Sequence, residues 1–271
     1  MATSGGDRAE RRETASDRGT IAYLGHATVV IDLAGVRVIT DPILTGRVTF
    51  IRRVASAPSP ALAPGSSGLV LISHGHMDHL HRASLQQLGL EVPVVVPIGL
   101  GRLVEGWGHR SVTELAVGAT YRHGAVTVTA IRADHSGFRP PLGPHAATVG
   151  YLIEGAGRAI YFAGDTDLYA EMADLAPLGL DVALVPVWGW GPNLGAGHLD
   201  PERAASAVGL LAPRLAVPIH WGTLWPMAMR WRRHRLTDPP ALFADAVARV
   251  APMTRVIVLP PGAMLNLEDA A

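Results

Sequence analysis

Residues 69–81 read LVLISHGHMDHLH, a short apolar run of strand type followed at once by four histidines and an aspartate. A strand that ends where the imidazoles begin presents them on a loop at a sheet edge, where functional sites are commonly built. His74 and His76 are two positions apart and can point the same way in an extended chain, whereas Asp78 and His79 leave the following turn in another direction. The loop could therefore supply ligands to two adjacent metal ions, although a polar, solvated turn would contain such residues too.

One loop cannot complete two metal sites, because each ion takes about four ligands, which for zinc include imidazole and carboxylate groups. Three later residues follow apolar runs of strand type: His135 in AIRADHSGF, Asp165 in AIYFAGDTD and His220 in LAVPIHWGT. Taken singly, each has an ordinary explanation, since a histidine at a strand end is often only hydrogen-bonded and an aspartate often only forms a turn. Together with the 74–79 loop they form a coherent ligand set.

The composition excludes several common chemistries. The chain has 271 residues, of which 48% are apolar and 17% charged, enough for one substantial core. It contains no cysteine and no lysine, so thiolate metal sites, Schiff-base lysines and a Walker A loop are excluded, and any metal must be held by nitrogen and oxygen. The 23 arginines balance 23 acidic residues, so no overall field favours nucleic acid or an acidic membrane.

The chain divides into a polar start and one predicted domain. Residues 1–19 lack the apolar region of a signal peptide and are predicted to form a disordered leader, and residues 20–271 to form a single domain. No apolar run approaches the roughly 18 residues that span a bilayer. We therefore expect a soluble, cytoplasmic protein, which the absence of cysteine allows without requiring.

The order of strand and helix patterns predicts the fold class. Short antiparallel strands are expected from Thr20 onward, and later strands at 93–96, 125–132, 148–154, 158–163, 181–187, 215–219 and 255–259. Helices are expected at 82–88, 98–105, 168–176, 201–211 and 239–250. Asp200, directly before Pro201, is placed to cap the helix that follows. This order predicts an α/β (α+β) protein with two packed sheets and helices outside.

The spacing of the candidate ligands resembles that of the metallo-β-lactamase-fold hydrolases. The resemblance rests on His-x-His-x-Asp-His at 74–79, then His135, Asp165 within Gly-Asp-Thr and His220 within His-Trp-Gly-Thr. It covers residues 20–262, most of the chain.

Finer segments resemble one branch of that family, which contains L-ascorbate-6-phosphate lactonase and N-acyl-phosphatidylethanolamine phospholipase D. These segments are Tyr-Leu-Gly-His at 23–26 with Thr-Asp-Pro at 40–42, His-Leu-Asp-Pro-Glu at 198–202 and Pro-Ile-His-Trp-Gly-Thr at 218–223. The chain departs from the family pattern in the Ser-Gly-Phe-Arg after His135 and in Leu224. These departures bear on the substrate and leave the metal ligands intact.

The resemblance implies a four-layer αββα sandwich with its active site at one edge of the two sheets. It implies two divalent metal ions, with zinc as the first choice and manganese or iron as alternatives for a site of nitrogen and oxygen ligands. The implied ligands are His74, His76 and His135 for one ion, Asp78, His79 and His220 for the other, and Asp165 as the bridge between them.

Further candidates surround this set. Asp78 could also orient the attacking water and accept its proton, and His198, in the glycine-rich stretch 188–200, could assist the leaving group or be structural. His26 and Asp41 are candidates for orienting the ligands, because metal-bound imidazoles donate their other N–H to a carboxylate or carbonyl. Either residue could instead belong to an ordinary turn.

Two segments are candidates for substrate contact. Phe138 and Arg139 lie in a proline-rich loop after His135, for which the alternative is a rigid structural loop. The basic stretch RWRRHR at 230–235 could bind a phosphate or lie against an anionic membrane surface through its guanidinium groups, and a solvated helix or lid is the simpler interpretation.

These residues predict hydrolysis without a side-chain nucleophile. Two divalent ions can share a water, lower its pKa and present hydroxide beside a polarised substrate oxygen. We therefore predict a binuclear hydrolase that uses metal-bound hydroxide to cleave a small-molecule phosphodiester or lactone, with no nucleic-acid partner. The alternatives are a non-catalytic metal-binding scaffold or sensor and an iron-dependent redox protein on the same fold.

Overall fold

The computed structural model describes residues 19–56, 68–139, 141–191, 193–228 and 234–269. Its strands are β1 (Thr20–Gly25), β2 (Thr28–Leu33), β3 (Val36–Thr40), β4 (Arg47–Val48), β5 (Ile51–Arg53), β6 (Gly68–Leu71), β7 (Val94–Pro97), β8 (Val112–Leu115), β9 (Thr120–His123), β10 (Val126–Arg132), β11 (Val149–Gly155), β12 (Arg158–Phe162), β13 (Val182–Pro186), β14 (Leu215–Ile219), β15 (Leu224–Pro226), β16 (Arg255–Val256) and β17 (Met264–Asn266). Its helices are α1 (Arg82–Leu88), α2 (Gly101–Glu105), α3 (Pro201–Leu211), α4 (His234–Thr237), α5 (Pro239–Val250) and a 3₁₀ helix at Ala170–Leu178.

Two seven-stranded sheets form the centre of the fold. The first has the strand order β17-β1-β2-β3-β6-β7-β8 and the second the order β16-β14-β13-β12-β11-β10-β9. In the first sheet β1 to β3 are antiparallel and β3, β6, β7 and β8 are parallel. In the second sheet β9 to β12 are antiparallel and β12, β13, β14 and β16 are parallel. Both halves of the chain therefore repeat one topology, a meander followed by parallel strands.

Strand residues alternate between two hydrophobic cores, as a side-chain period of two requires. In β1, Ile21 and Tyr23 belong to the core that joins the two large sheets, whereas Ala22 and Leu24 belong to a core on the outer face of the first sheet. Burial on both faces explains why these strands read as nearly continuous apolar runs.

Helices cover the outer faces of both sheets. Leu85 of α1 and Val104 of α2 lie in the outer core of the first sheet, and Val208 of α3 and Phe243 of α5 pack with the second sheet. The predicted αββα sandwich is confirmed. In the described part of the chain, no helix combines the length and apolar character needed to cross a membrane.

Three of the five predicted helices have the predicted bounds. The helix predicted at 98–105 begins only at Gly101, because Gly99 has a φ of +101°, which is not helical. The helices at 82–88, 201–211 and 239–250 are confirmed, and the Asp200 side chain accepts a hydrogen bond from the N–H of Arg203 at 2.9 Å. The predicted α-helix at 168–176 is wrong in type. The segment is a 3₁₀ helix containing Pro177, whose ring would clash with the carbonyl four residues earlier in an α-helix.

The strand ends that carry the predicted ligands point to the same edge. Two antiparallel steps separate β1 from β3 and β10 from β12, so β1, β3 and β6 share one direction, as do β10, β12 and β14. The carboxyl ends of each set therefore lie together. These ends are followed by His26, Asp41 and the 74–79 loop in the first sheet, and by His135, Asp165 and His220 in the second.

Candidate metal centre

The structure brings the seven predicted ligands into adjoining clusters. One cluster contains His74, His76 and His135, and another contains Asp78, His79 and His220 with His26. In each cluster one potential ligand atom of every residue lies within 4.8 Å of the others. Both clusters take side chains from both sheets, so the site joins the two halves of the fold.

In the first cluster, two imidazoles each point an unprotonated nitrogen at the same nitrogen of the third imidazole. His135 Nδ1 donates to the carbonyl of Gly197 at 2.7 Å, and His74 Nδ1 donates to Ser73 Oγ at 2.9 Å. Their Nε2 lone pairs lie 3.1 Å and 2.9 Å, respectively, from Nδ1 of His76. A proton on His76 can satisfy only one of them, whereas a cation among the three nitrogens satisfies all. These residues therefore fit a metal ion.

Asp165 lies against both clusters. Its Oδ1 is 3.1 Å from His220 Nε2, and its Oδ2 is 3.2 Å from His79 Nε2 and 3.5 Å from His198 Nε2. It also groups with His135 within ligand distance. The carboxylate is buried, and Oδ1 has no hydrogen bond with acceptable geometry within the described structure. Such an oxygen is costly unless a cation meets it, so Asp165 fits a position beside a metal ion.

In the second cluster, a backbone carbonyl fixes the tautomer of one histidine. His220 Nδ1 donates to the carbonyl of Trp188 at 2.6 Å, so its Nε2 carries the lone pair. That Nε2 lies 3.2 Å from Nε2 of His79. A carbonyl partner on the far nitrogen is the usual arrangement for a metal-ligating imidazole.

Asp41 links one histidine from each cluster. It is completely buried, and its Oδ2 accepts hydrogen bonds from His79 Nδ1 at 2.8 Å and from Ser73 Oγ. Because the Ser73 hydroxyl proton is used on Asp41, Ser73 Oγ accepts from His74 Nδ1. A single carboxylate therefore sets the orientation of His74 and His79 together.

Two donors hold the carboxylate of Asp78. His26 Nε2 donates to Asp78 Oδ2 at 3.0 Å, and Trp190 Nε1 donates to the same oxygen at 2.9 Å. Both contacts are on Oδ2, which leaves Oδ1 for another partner. The His26 ring also lies 3.9 Å from that of His220, between centroids.

Burial keeps three imidazoles of the site neutral, those of His74, His76 and His220. It lowers the pKa of His76 to about 4 and that of His220 to about 3, where the charge of Asp165 only partly offsets it. The pKa of His74 lies well below its ordinary value for the same reason, and the nearby His79 adds to the effect. Neutral imidazole is the form that binds metals.

The carboxylates of Asp78 and Asp165 are ionised. Burial raises the pKa of Asp78 and Asp165, but the neighbouring imidazoles outweigh it and hold both pKa values well below the ordinary range. Burial also lowers the pKa of His79, but Asp165, Asp78 and Asp41 outweigh it and raise that pKa well above the ordinary value. The three carboxylates therefore favour positive charge at this point, whether a proton on His79 or a metal ion.

Three residues of the site have a left-handed backbone. The φ angles are +57° at His26, +35° at Asp41 and +65° at His220, each directly after a strand. Non-glycine residues in this region store about 1–3 kcal/mol each and cluster at functional sites. The sharp turn carries each side chain from the strand end into the shared cluster.

His198 lies beside the two clusters and forms a further group with His135 and Asp165, in which one potential ligand atom of each residue lies within 4.8 Å of the others. Its ring packs edge-on against that of His135 at 4.7 Å between centroids. Burial lowers its pKa, but the hydrogen bond and charge of Asp165 outweigh this and raise the pKa above its ordinary value. The side chain is 26% exposed and borders the cavity described next.

A cavity of about 530 Å³ opens over the clusters. Its floor includes His76, Asp78, Asp165 and His220, and His198 stands at the side. Its opposite wall comes from the β4–β5 hairpin and from the segment after β13. That wall contains the apolar residues Val48, Phe50, Ile51, Trp190 and Leu194.

The profile of the family described as "Beta-lactamase superfamily domain" matches residues 36–221, which hold all seven clustered ligands. The chain belongs to the beta-lactamase superfamily. A UPF0173 metal-dependent hydrolase of Methanopyrus kandleri is 31% identical over 250 residues, covering 89% of this chain and 97% of that protein. The N-acyl-phosphatidylethanolamine-hydrolyzing phospholipase D 1 of Caenorhabditis elegans is 30% identical over 239 residues, covering 78% and 66%.

The fold of this superfamily member also matches solved structures. Igni18, a metallo hydrolase of Ignicoccus hospitalis, superposes with a TM-score of 0.69 at 23% identity, covering 91% of this chain and 97% of that one. The resemblance drawn from the motifs is confirmed, including the similarity to the branch that contains the phospholipase D.

Two residues predicted to contact substrate, Phe138 and Arg139, have other contacts in the structure. Arg139 donates to the carbonyls of Gly75 and Leu80 and lies over the ring of Trp107, so it supports the ligand loop from behind. Phe138 forms an isolated bridge with His145. Neither Phe138 nor Arg139 is among the described residues that line the cavity, and their contact with substrate stays a prediction. The basic stretch at 230–235 falls outside the described side chains.

Ser73 and Trp190 also belong to the site and were not predicted from the sequence. Ser73 directly precedes the first histidine, and its position at the end of an apolar run was a usable signal. Trp190 stands 112 positions from Asp78, and no local pattern connects the two.

Proposed function

We propose that the protein is a binuclear metal-dependent hydrolase that cleaves an ester-type bond, a phosphodiester or a lactone, in a small molecule. The divalent ions are zinc, with manganese or iron as alternatives. One observation carries the proposal: the Nε2 lone pairs of His74 and His135 both face Nδ1 of His76. These three residues would hold one ion, Asp78, His79 and His220 would hold the other, and Asp165 would be a ligand shared by both.

When bound, two such ions supply a Lewis acid and lower the pKa of a coordinated water. Side chains of the protein orient the ligands, position the water and transfer protons. Asp41 fixes the orientation of His74 and His79, and Asp78, held through Oδ2, orients the attacking water and accepts its proton. His198, at the side of the cavity, donates a hydrogen bond or a proton to the leaving group.

The relatives support both parts of this proposal. The Methanopyrus kandleri protein is named as a metal-dependent hydrolase, and the Caenorhabditis elegans protein as a phospholipase D, which acts on a phosphodiester. The absence of lysine and cysteine from the chain agrees with a nucleophile that is not a side chain.

The substitution Asp165→Asn tests the proposal. It keeps the size of the side chain but removes the charge between the two ions, so the metal content should fall from two ions per chain to at most one. Hydrolysis of bis(p-nitrophenyl) phosphate and of a lactone panel should fall by more than about 100-fold, because loss of a metal ligand lowers activity more than loss of a group that only hydrogen-bonds to a ligand. Metal analysis and initial rates measure the two effects.

Two further variants make this test specific. Asp32→Asn changes a partly buried aspartate that pairs with Arg37 away from the clusters, and it should leave metal content and rates unchanged. His198→Gln should keep both ions and lower the rate. Full activity of Asp165→Asn would contradict the proposal, and bound metal without turnover on any substrate would favour a scaffold or sensor.

A further inference from the structure

The cavity over the clusters has an apolar wall in addition to its metal-binding floor. Ile51 and Val48 are buried with Ile43 and Leu224 in a small separate core, which anchors the wall to the third sheet, of β15, β5 and β4. Phe50, at the tip of the β4–β5 hairpin, remains 55% exposed. An exposed aromatic residue at a cavity mouth loses contact with water when an apolar group covers it, which favours binding.

Trp190 joins this wall to the floor. Its ring meets that of Phe50 edge to face at 5.4 Å between centroids, and its Nε1 donates to Asp78 Oδ2. The hydrogen bond fixes the indole, and the indole supports the phenyl ring. The wall is therefore a pre-formed surface, the kind that binds an apolar group without the entropy cost of ordering it.

The described lining of the cavity contains no arginine, and the chain has no lysine. Arginines near the site use their donors elsewhere. Arg53 donates to the carbonyls of Leu24, Ile43 and Ser56, and Arg139 donates to the loop carbonyls named above. An anionic group of the substrate placed against Val48, Phe50, Ile51, Trp190 and Leu194 would therefore find no cationic partner among these wall residues and would lose its hydration.

We infer that the substrate carries its ester-type bond at the metal ions and an uncharged, apolar arm, acyl or aryl, against the wall of Val48, Phe50, Ile51, Trp190 and Leu194. This inference rests on the proposed function, because it places the cleaved bond at the ions, and it narrows the substrate class of that site.

Binding of straight-chain carboxylates to the metal-loaded protein tests the inference without turnover. Butanoate, hexanoate, octanoate and decanoate place a carboxylate at the ions and an arm of increasing length in the cavity. Isothermal titration calorimetry should show the dissociation constant falling about threefold for each added methylene until the wall is covered. Hexanedioate, with a second carboxylate, should bind more weakly than hexanoate.

Phe50→Ser removes an exposed part of the wall, and Leu142→Ser, at a side chain that is 94% exposed and absent from the cavity lining, is its matched control. Phe50→Ser should weaken decanoate binding about tenfold and leave butanoate unchanged, and the control should match the unmodified protein. No binding, an affinity independent of chain length, tighter binding of hexanedioate, or equal behaviour of the two variants would overturn the inference.

The failure of this inference can be told apart from that of the proposed function. Chain-length-dependent binding without hydrolysis of any ester, lactone or phosphodiester would leave the apolar subsite in place and remove the enzymatic assignment. Hydrolysis that depends on Asp165 but proceeds equally for short-chain and long-chain esters would support the enzymatic assignment and remove the apolar subsite.

Discussion

Asp78 shows how much of a metal site depends on side chains outside it. Both donors to this carboxylate, His26 and Trp190, act on Oδ2, so the direction of Oδ1 is set by two rings from opposite sheets of the fold. Such outer hydrogen bonds hold the lone pairs of a ligand where the ion needs them.

Trp190→Phe tests this role at the scale of a single residue. Phenylalanine keeps an aromatic ring against Phe50 but removes the N–H that Asp78 accepts. We expect the weaker of the two metal-binding constants to fall about tenfold, measured by competition with a chromophoric chelator. Tyr121→Phe, at a partly buried aromatic residue of β9 away from the clusters, is the control, and equal metal affinity in both variants would exclude an orienting role for Trp190.

At the scale of elements, the turn after β12 sets the approach of the two sheets. Gly164 has a φ of +62°, and a Cβ there would lie 2.7 Å from Cβ of Ser73 and 3.0 Å from the carbonyl oxygen of Val149. This glycine therefore allows the strand end that carries Asp165 to contact the strand end that precedes His74. The spacing of the two clusters depends on that contact.

Gly164→Ala should disturb the site as well as the turn. Gly157→Ala is a matched control, because Gly157 has a φ of +70° but a Cβ added there would meet no atom within 4 Å. The control should lose about 1 kcal/mol of unfolding free energy from backbone strain, and Gly164→Ala about 2–4 kcal/mol, because the overlap displaces Ser73. Urea unfolding measures both, and metal affinity should fall only in Gly164→Ala. Equal losses would show that the close contact is unimportant.

At the scale of the whole molecule, each cluster crosses the boundary between the two sheets. His74 and His76 follow β6 of the first sheet, and His135 follows β10 of the second. A metal ion held by all three would therefore tie the two halves of the fold together and would bind the folded chain in preference to the unfolded one.

Removal of the metal should consequently lower the thermal stability of the entire protein. A ligand at 1,000 times its dissociation constant adds about 4 kcal/mol of stability. For a chain of this size that corresponds to a shift in Tm on the order of 10 °C, measured by calorimetry with and without chelator. Asp165→Asn should show a smaller shift. An unchanged Tm in the unmodified protein would mean that the ions do not bridge the two sheets.

The sequence predicted local features well where the signal lies within a few residues. Asp200 before Pro201 defines the start of α3, and the bounds of α1 and α5 follow from short apolar patterns. Strands β4, β5 and β15 were not predicted, because two or three residues are too few to show an alternation of apolar and polar side chains. They form the third sheet, which carries the apolar wall of the cavity.

The sequence by itself determined the order of most of the longer strands and helices and the identity of the candidate ligands, because strand periodicity, helix capping and the His-x-His-x-Asp-His spacing are properties of neighbouring residues. Only the tertiary structure decided which nitrogen of each histidine faces the centre. The carbonyls of Trp188 and Gly197 and the carboxylate of Asp41 make that choice, from 32 to 62 positions away along the chain. The reason is physical: a hydrogen bond acts over about 3 Å, and the packing of two sheets alone brings groups so distant in sequence within that range.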